Sequence, residues 1–271
     1  MKPLSTWPSS DRQRIKGIFT DIDDTLTTQG AITPDALAAL GELKAAGLDV
    51  VAITGRPVGW SEPFATRWPV DAIVAENGAV LLQIKHQISP KPNEFGRKQL
   101  SKSYFQSDAR RAENVARMQQ ISARVLAGVP GTLLAQDSAG RETDMAIDHS
   151  EFTQLPPEKI AQVVAIMQSE GMNATVSSIH INGWFGTHNK LSGARWAVEQ
   201  LFGRDLDAEM DNWAFVGDST NDQLMFEAFV NSIGVANVRR FESKLTHLPR
   251  YITGGERGAG FAEATQAVLS R

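Results

Sequence analysis

The chain contains no cysteine, so neither a disulfide nor a thiolate metal site can form. It also lacks any window near the uninterrupted apolar length of a membrane span, and no membrane partner is expected. The opening MKPLSTWPSSDRQRIK has no apolar stretch of the signal-peptide kind. A cytoplasmic location is therefore expected, with residues 1–14 as a loosely held tail. Basic runs are missing too. Lys and Arg total 27 against 31 Asp and Glu, with a formal net charge of -4 and a pI near 5.8. That balance excludes the dense cationic tract of a nucleic-acid binder, so no nucleic-acid partner is expected. Internal repeats and low-complexity tracts are absent, and nothing in the sequence speaks to oligomeric state.

What is present is a folded chain of 271 residues, 42% hydrophobic and 21% charged. That length suits a core plus an insert, or two domains. Short runs rich in Val and Ile, apolar on both faces, read as buried parallel strands: Ile15–Thr20, Leu48–Ile53, Ala72–Ala75, Trp213–Val216 and Ser232–Ala236. Helical punctuation lies between them. Thr33-Pro34 is an N-cap followed by a first-turn proline, Leu37, Leu40 and Leu43 form an apolar face, and Gly47 ends the segment. The alternation predicts an α/β fold with a doubly wound, Rossmann-like parallel sheet. From about Ile84 to Gly186 the rhythm changes. Lys85–Gln106 is polar and holds Pro90 and Pro92. Helices are expected over Arg110–Leu126 and Pro156–Glu170, and extended chain over Gly131–Ala135, Thr143–Asp148 and Ala174–Phe185. The expected organisation is a core of residues 1–83 and 187–271 carrying an inserted α+β cap, residues 84–186.

Three strand ends carry chemistry. Gly17-Ile18-Phe19-Thr20-Asp21-Ile22-Asp23-Asp24 places three carboxylates within four residues where a buried strand ends. Ligands of open α/β sheets bind at such carboxyl ends. Residues i and i+2 of an extended chain share a face, so Asp21 and Asp23 should converge. Unpaired carboxylates at that spacing repel, and a divalent cation resolves the conflict. A loop of solvated or capping aspartates is the plainer reading of this stretch alone. Val50-Val51-Ala52-Ile53-Thr54-Gly55 ends a second strand in a hydroxyl and free backbone N–H groups, suited to phosphate; by itself Thr54 reads more readily as a helix cap. Phe215-Val216-Gly217-Asp218-Ser219-Thr220-Asn221-Asp222 adds two acids after a third strand. A helix cap explains one of them, not both. Lys190 stands just before an amphipathic helix and carries no signal alone.

Together, and in this order, these four segments resemble the four-motif signature of the haloacid dehalogenase superfamily. The position of the insert and the segment Glu76-Asn77-Gly78-Ala79 are similar to subclass IIB, the Cof-like, sucrose-phosphatase and mannosyl-3-phosphoglycerate phosphatase branches. One departure is Asp24, where many members have glycine. The resemblance implies a phosphatase acting through an aspartyl-phosphate. Asp21 would be the nucleophile and Asp23 the acid and base. Mg²⁺ would be held by Asp21, the backbone carbonyl of Asp23, and Asp218, with Asp222 a ligand through water or an acid behind the ligands. Thr54, Gly55, Lys190 and Asn221 would hold the phosphoryl oxygens.

The expected partner is a small phosphorylated metabolite, a sugar phosphate or phosphoglycerate derivative. Substrate contacts are expected from the insert's polar-aromatic stretch, through His180, Asn182, Trp184 and His188, although Trp184 could equally pack insert against core. The two histidines lack a third ligand at zinc spacing. A phosphomutase or phosphotransferase would use the same intermediate. A non-catalytic sugar-phosphate binder on the same fold is a further alternative, though it has no need of an acid and base at Asp23.

Overall fold

The computed structural model describes residues 1–86 and 98–270. Among these residues, one sheet of nine strands organises the larger body. Its spatial order is β1 (Lys2–Pro3), β15 (Tyr251–Ile252), β14 (Asn231–Gly234), β13 (Trp213–Gly217), β2 (Gly17–Thr20), β5 (Asp49–Ile53), β6 (Ala72–Ala75), β7 (Val80–His86) and β8 (Lys98–Tyr104). Pairing is parallel from β1 across to β6, and antiparallel for β7 and β8. Side-chain alternation explains the all-apolar strands. Ile18, Val50, Ala52 and Ile73 enter one core, packed under α2 (Pro34–Ala45), α3 (Val58–Arg67) and α8 (Arg257–Leu269). Their neighbours Phe19, Val51, Ile53 and Val74 enter the other, under α6 (Lys190–Phe202) and α7 (Gln223–Ala228). The expected doubly wound α/β class is therefore the one observed.

The second unit is a four-stranded antiparallel sheet in the order β11 (Asn173–Val176), β12 (His180–Trp184), β10 (Asp144–Asp148) and β9 (Leu133–Leu134). α4 (Asp108–Gly128) and α5 (Pro157–Ser169) bury Met118, Val125, Val163 and Met167 against Met145, Ile147 and Ile181 of this sheet. Those three alternate with Asp144, Asp148, His180 and Asn182. The opposite, polar face of β10 and β12 is thereby turned to the larger body, and these four residues are all buried there.

Two expectations are corrected. The boundary at residue 84 falls inside β7, and β8 continues the large sheet to Tyr104, so the chain leaves that sheet some twenty residues later than expected. β8 (KQLSKSY) was not legible because it is an outer strand with little apolar content. Residues 1–14 are not a loose tail either. Lys2 and Pro3 pair with Tyr251 and Ile252. Trp7 is buried beside Tyr251, its Nε1 donating to Asn231 Oδ1 at 3.2 Å, and α1 (Ser9–Arg12) lies against α8. The polar segment 87–97, with Pro90 and Pro92, lies outside the described residues.

Two short passages join the units, one after β8 and one after β12. Gln106 ties them together: its Nε2 donates to the Phe185 carbonyl at 2.9 Å, and its Oε1 accepts from Asn114 Nδ2 at 2.9 Å. Near this neck the turn at residues 76–78 presses on the start of α6. Gly78 has φ +104, and a Cβ there would lie 2.3 Å from the Asn189 carbonyl oxygen. This close approach seats Lys190, the first residue of α6. Gly78→Ala should therefore lower stability by about 1–3 kcal/mol, read as a lower urea midpoint at unchanged m-value.

Candidate active site

The carboxyl ends of β2, β5 and β13 lie side by side, because these strands are neighbours or near neighbours and parallel. Asp21 follows β2, Thr54 and Gly55 follow β5, and Asp218 follows β13. The first residue of α6 completes the group. Lys190 is buried, and its Nζ donates to Asp21 Oδ1 at 2.5 Å and to Asp222 Oδ1 at 2.7 Å. An Asn189–Ser192 capping box fixes the start of that helix and so the root of the lysine. The structure thus brings together five residues that lie up to 201 positions apart: Asp21, Lys190, Asp218, Asn221 and Asp222 share one small region with Asp23 beside them.

The acids differ in their free valence. Asp222 has none: its other oxygen, Oδ2, accepts from the backbone N–H groups of Asp218 and Ser219 at 2.9 and 3.2 Å. It orients Lys190 and the turn after β13. Asp218 Oδ2 accepts from Asn237 Nδ2 at 3.0 Å, but its Oδ1 is buried with no partner among the described residues. Oxygens of Asp21, Asp218 and Asp222 lie within 4.8 Å of one another. An unpaired buried carboxylate oxygen is costly, and three acids around one ammonium leave negative charge uncompensated. The donor set is all oxygen. These features fit a hard divalent cation such as Mg²⁺.

Burial governs the titration of this group. It pushes the Asp21 carboxyl up to about 8 against the pull of Lys190, and it raises Asp218 well above the usual carboxylate range, with Asp21 and Asp222 adding to the effect. Burial also raises Asp23, opposed by Arg56.

Asp23 stands apart from the other acids and meets a residue absent from the sequence expectations. Arg56 Nε donates to its two oxygens at 2.9 and 3.1 Å. The far side of the same guanidinium reaches the insert, donating to Asp137 Oδ2 at 3.1 Å and Glu151 Oε1 at 2.7 Å. His180 Nε2 lies 2.7 Å from Glu151 Oε2. Hydrogen bonding from His180 and Arg56 outweighs burial and holds Glu151 down at about 2. A second seam runs through Gly55, whose carbonyl accepts from Arg141 Nη1 at 3.0 Å and Asn182 Nδ2 at 3.2 Å, both from the insert. Asp144 holds both donors, Arg141 at 2.7 Å and Asn182 at 3.2 Å. Thr54 is fully buried, with its Oγ1 accepting from the Arg56 N–H at 3.0 Å. Glu76, also fully buried, accepts from Val58 N and Glu142 N at 3.0 and 2.9 Å and further from Thr143, stitching insert to core.

The four expected substrate residues lie in two places. His180 and Asn182 line the narrow gap over Asp21 and Asp23, together with Gly55 and Asn221. That gap is about 10 Å³, roughly one water, so the insert is closed down on the site. Trp184 and His188 instead pack near the neck. Trp184 Nε1 donates to the His188 carbonyl at 2.8 Å, and the His188 ring lies between Trp184 and Phe105. Burial lowers the His188 pKa to about 4, leaving it neutral. Trp184 and His188 also line a separate cavity of about 280 Å³ together with Lys190 and Asn221.

Asp24 has φ 55, in the left-handed region that favours glycine, which accounts for the glycine expected there. Aspartate is among the residues that tolerate this conformation. Its carboxylate pairs with Arg257 at 2.9 Å, and its carbonyl accepts from Asn237 at 3.0 Å.

Residues 18–116 match the family model of the haloacid dehalogenase-like hydrolases. No curated protein matches the sequence. Among solved structures the fold is similar to a protein of Thermoplasma acidophilum, with TM-score 0.69 and 16% identity over 95% of this chain and 99% of that one. It is similar to the sucrose-phosphatase of Synechocystis, solved with sucrose and phosphate, with TM-score 0.62 and 15% identity over 95% and 98%. It also resembles the subclass IIB sugar phosphatase BT4131, with TM-score 0.60 and 14% identity over 93% and 98%. The matched segment, 18–116, is thus similar to the haloacid dehalogenase-like hydrolases, and the fold of the whole chain is that of these structures. Among the described residues, no helix is long and apolar enough to cross a membrane.

The buried acids make stability depend on pH in a defined direction. A carboxyl whose folded pKa is raised binds its proton more tightly folded than unfolded. For Asp21 stability is thus full below its ordinary value of 3.8 and is lost as pH rises toward about 8. A bound cation removes that loss. The thermal midpoint of the cation-free protein should fall between pH 5 and pH 8, and added Mg²⁺ should raise it more at pH 8 than at pH 5, as differential scanning calorimetry would show.

Proposed function

We propose that this protein is a Mg²⁺-dependent phosphatase that hydrolyses a small phosphorylated metabolite through an aspartyl-phosphate on Asp21. The observation that carries the reading is the unpaired, buried Asp218 Oδ1 in a cluster where acid oxygens of Asp21, Asp218 and Asp222 lie within 4.8 Å of one another and Lys190 donates to Asp21. Asp21, the Asp23 carbonyl and Asp218 would hold the ion, which when bound neutralises phosphoryl charge and draws the phosphate onto the nucleophile.

The chain's own groups supply the rest. Asp21 attacks phosphorus, and the bond to the leaving oxygen breaks. Lys190 shifts its third hydrogen-bond donor to a phosphoryl oxygen while Asp222 keeps the ammonium in place. The N–H groups of the loop after β5, with the Thr54 hydroxyl and the Asn221 amide, hold the remaining oxygens. Asp23 gives its proton to the departing alkoxide, then takes one from the water that hydrolyses the aspartyl-phosphate. Burial favours the protonated form that the first of these steps needs. The insert acts as a cap that excludes bulk water, consistent with a gap of about 10 Å³.

Transfer of the phosphoryl group to a second alcohol would use the same machinery. Release of inorganic phosphate, as against movement of the label to a second alcohol, distinguishes hydrolysis from that reaction. The pairing of Asp23 with Arg56 argues against a pure binder, which has no use for a buried, oriented acid.

Phosphate release from phosphate esters should require Mg²⁺ and stop with EDTA. Asp21→Asn should lower kcat at least about 10³-fold. Asp23→Asn should lower it about 10²- to 10⁴-fold on an alkyl ester, yet still accumulate phosphoenzyme from a substrate with a good leaving group. Near-normal turnover by Asp21→Asn would assign the nucleophile elsewhere.

A further inference from the structure

The two large sheets end in four strand edges, and an open edge carries unpaired backbone N–H and C=O groups that invite another chain. Three of these edges are guarded. β1 is Lys2-Pro3, and proline withholds a donor. β8, KQLSKSY, carries lysines. β11 lies against the turn after β13, where the Thr220 hydroxyl donates to the Val176 carbonyl. The small ribbon of β3 (Thr27–Thr28) and β4 (Ala31–Ile32) lies against α8 and exposes no large apolar side chain. The fourth edge is β9, and both of its residues, Leu133 and Leu134, are exposed.

Two independent features single this edge out. The first is apolar surface. Leu133 is 57% exposed and Phe152 62%, the two highest values among the exposed large hydrophobic residues described. Both gather at Asp148: Leu133 stands opposite it in the ladder, and the Phe152 N–H donates to its Oδ2 at 2.9 Å. The second is charge. From Val125 to Gln136 no residue is charged, in a chain that is 21% charged. Asp148 itself is buried, with its oxygens accepting from the Glu151 and Phe152 N–H groups. Lys159, which reaches this stretch, donates to the Pro130 carbonyl at 2.5 Å.

We infer that the β9 edge is a self-association surface, on which a second copy of this chain pairs its own β9 in the antiparallel sense about a two-fold axis. The ladder dictates the register. The Ala135 N–H donates inward to the Ala146 carbonyl at 2.9 Å. Successive residues of an antiparallel strand point their backbone groups to opposite sides, so Leu134 turns its N–H and C=O outward. A two-fold axis there sets Leu134 opposite its own image, each giving one hydrogen bond and accepting one. The insert's sheet then continues across both copies, and the apolar surface at Leu133 and Phe152 of each is shielded by the other. Charge selects a second copy over a different protein. A symmetric contact sets each residue near its image, so a charged edge would repel itself and an uncharged one does not. The same stretch offers no charge for an acidic or basic partner to read.

Sedimentation equilibrium of the full chain should show the mass rising from 29.5 kDa toward twice that value as concentration increases. Leu133→Lys gives the edge a charge that opposes its own image. It should weaken association at least about tenfold with an unchanged far-UV circular dichroism spectrum. The absence of cysteine supplies a second readout. Opposed residues of a hydrogen-bonded antiparallel pair lie about 5.5 Å apart at Cα, within disulfide reach. Leu134→Cys should therefore cross-link two copies on mild oxidation, at least about tenfold faster than Leu37→Cys. Leu37, on α2, is as exposed as Leu134, both at 39%. A single mass of 29.5 kDa at every concentration would overturn this assignment. So would a dimer that survives Leu133→Lys unchanged, or equal cross-linking of Leu134→Cys and Leu37→Cys.

Discussion

The structure is arranged around one buried ammonium. Lys190 is the cation in contact with Asp21 and Asp222, while Asp218 stands beside them with an oxygen unshared. Such a cluster is unfavourable unless something else holds it in place, because each carboxylate gives up hydration on burial. The scaffold does that holding. Asp21 and Asp218 extend from adjacent parallel strands whose register is set by backbone hydrogen bonds, and Lys190 is locked by the capping box of its helix and by the contact at Gly78. The acids cannot separate to relieve their repulsion. Charge that cannot relax by movement is available to bind a cation, which is how a fold turns an electrostatic penalty into affinity.

The loop after β5 connects this cluster to the insert. Its three residues face different ways. The buried Thr54 hydroxyl accepts from the Arg56 N–H, the Gly55 carbonyl is gripped by Arg141 and Asn182, and Arg56 bridges Asp23 to Glu151 and Asp137. Closure of the insert is therefore registered at Asp23 and at the Thr54-Gly55 turn together. A site assembled from both bodies has its full geometry only when they meet, so chemistry and exclusion of water are coupled by the same hydrogen bonds.

The strands that were legible in the sequence share one property: both faces are buried, so the apolar run is continuous. Ala72–Ala75 matches to the residue, and the Thr33 cap is as expected. The strand β8 was hidden because an outer strand needs no such run, and the N-terminal segment was hidden because Trp7 and a two-residue strand carry no periodicity. Of the site, the acids at strand ends were legible from local spacing alone. Arg56, Glu151 and Asp144 were not. Arg56 and Glu151 are 95 positions apart, and each alone looks like a solvated surface charge. Only Arg56's place directly after the Thr54-Gly55 turn offered a signal. Trp184 and His188 pack at the neck while also lining a cavity with Lys190, a double placement that polar-aromatic character alone does not reveal.

The neck at Gln106 has a mechanical meaning. One side chain fastens the outgoing and returning passages to each other, so the insert hangs from a single narrow pivot rather than from two spaced hinges. A body on one pivot can swing as a lever with little bending of its own sheet. A small rotation about the neck, where the backbone shifts least, becomes a larger arc at the far contact between Glu151 and Arg56. The ion pairs of Arg56 with Glu151 and Asp137 then act as the latch of that lever, set apart from its pivot.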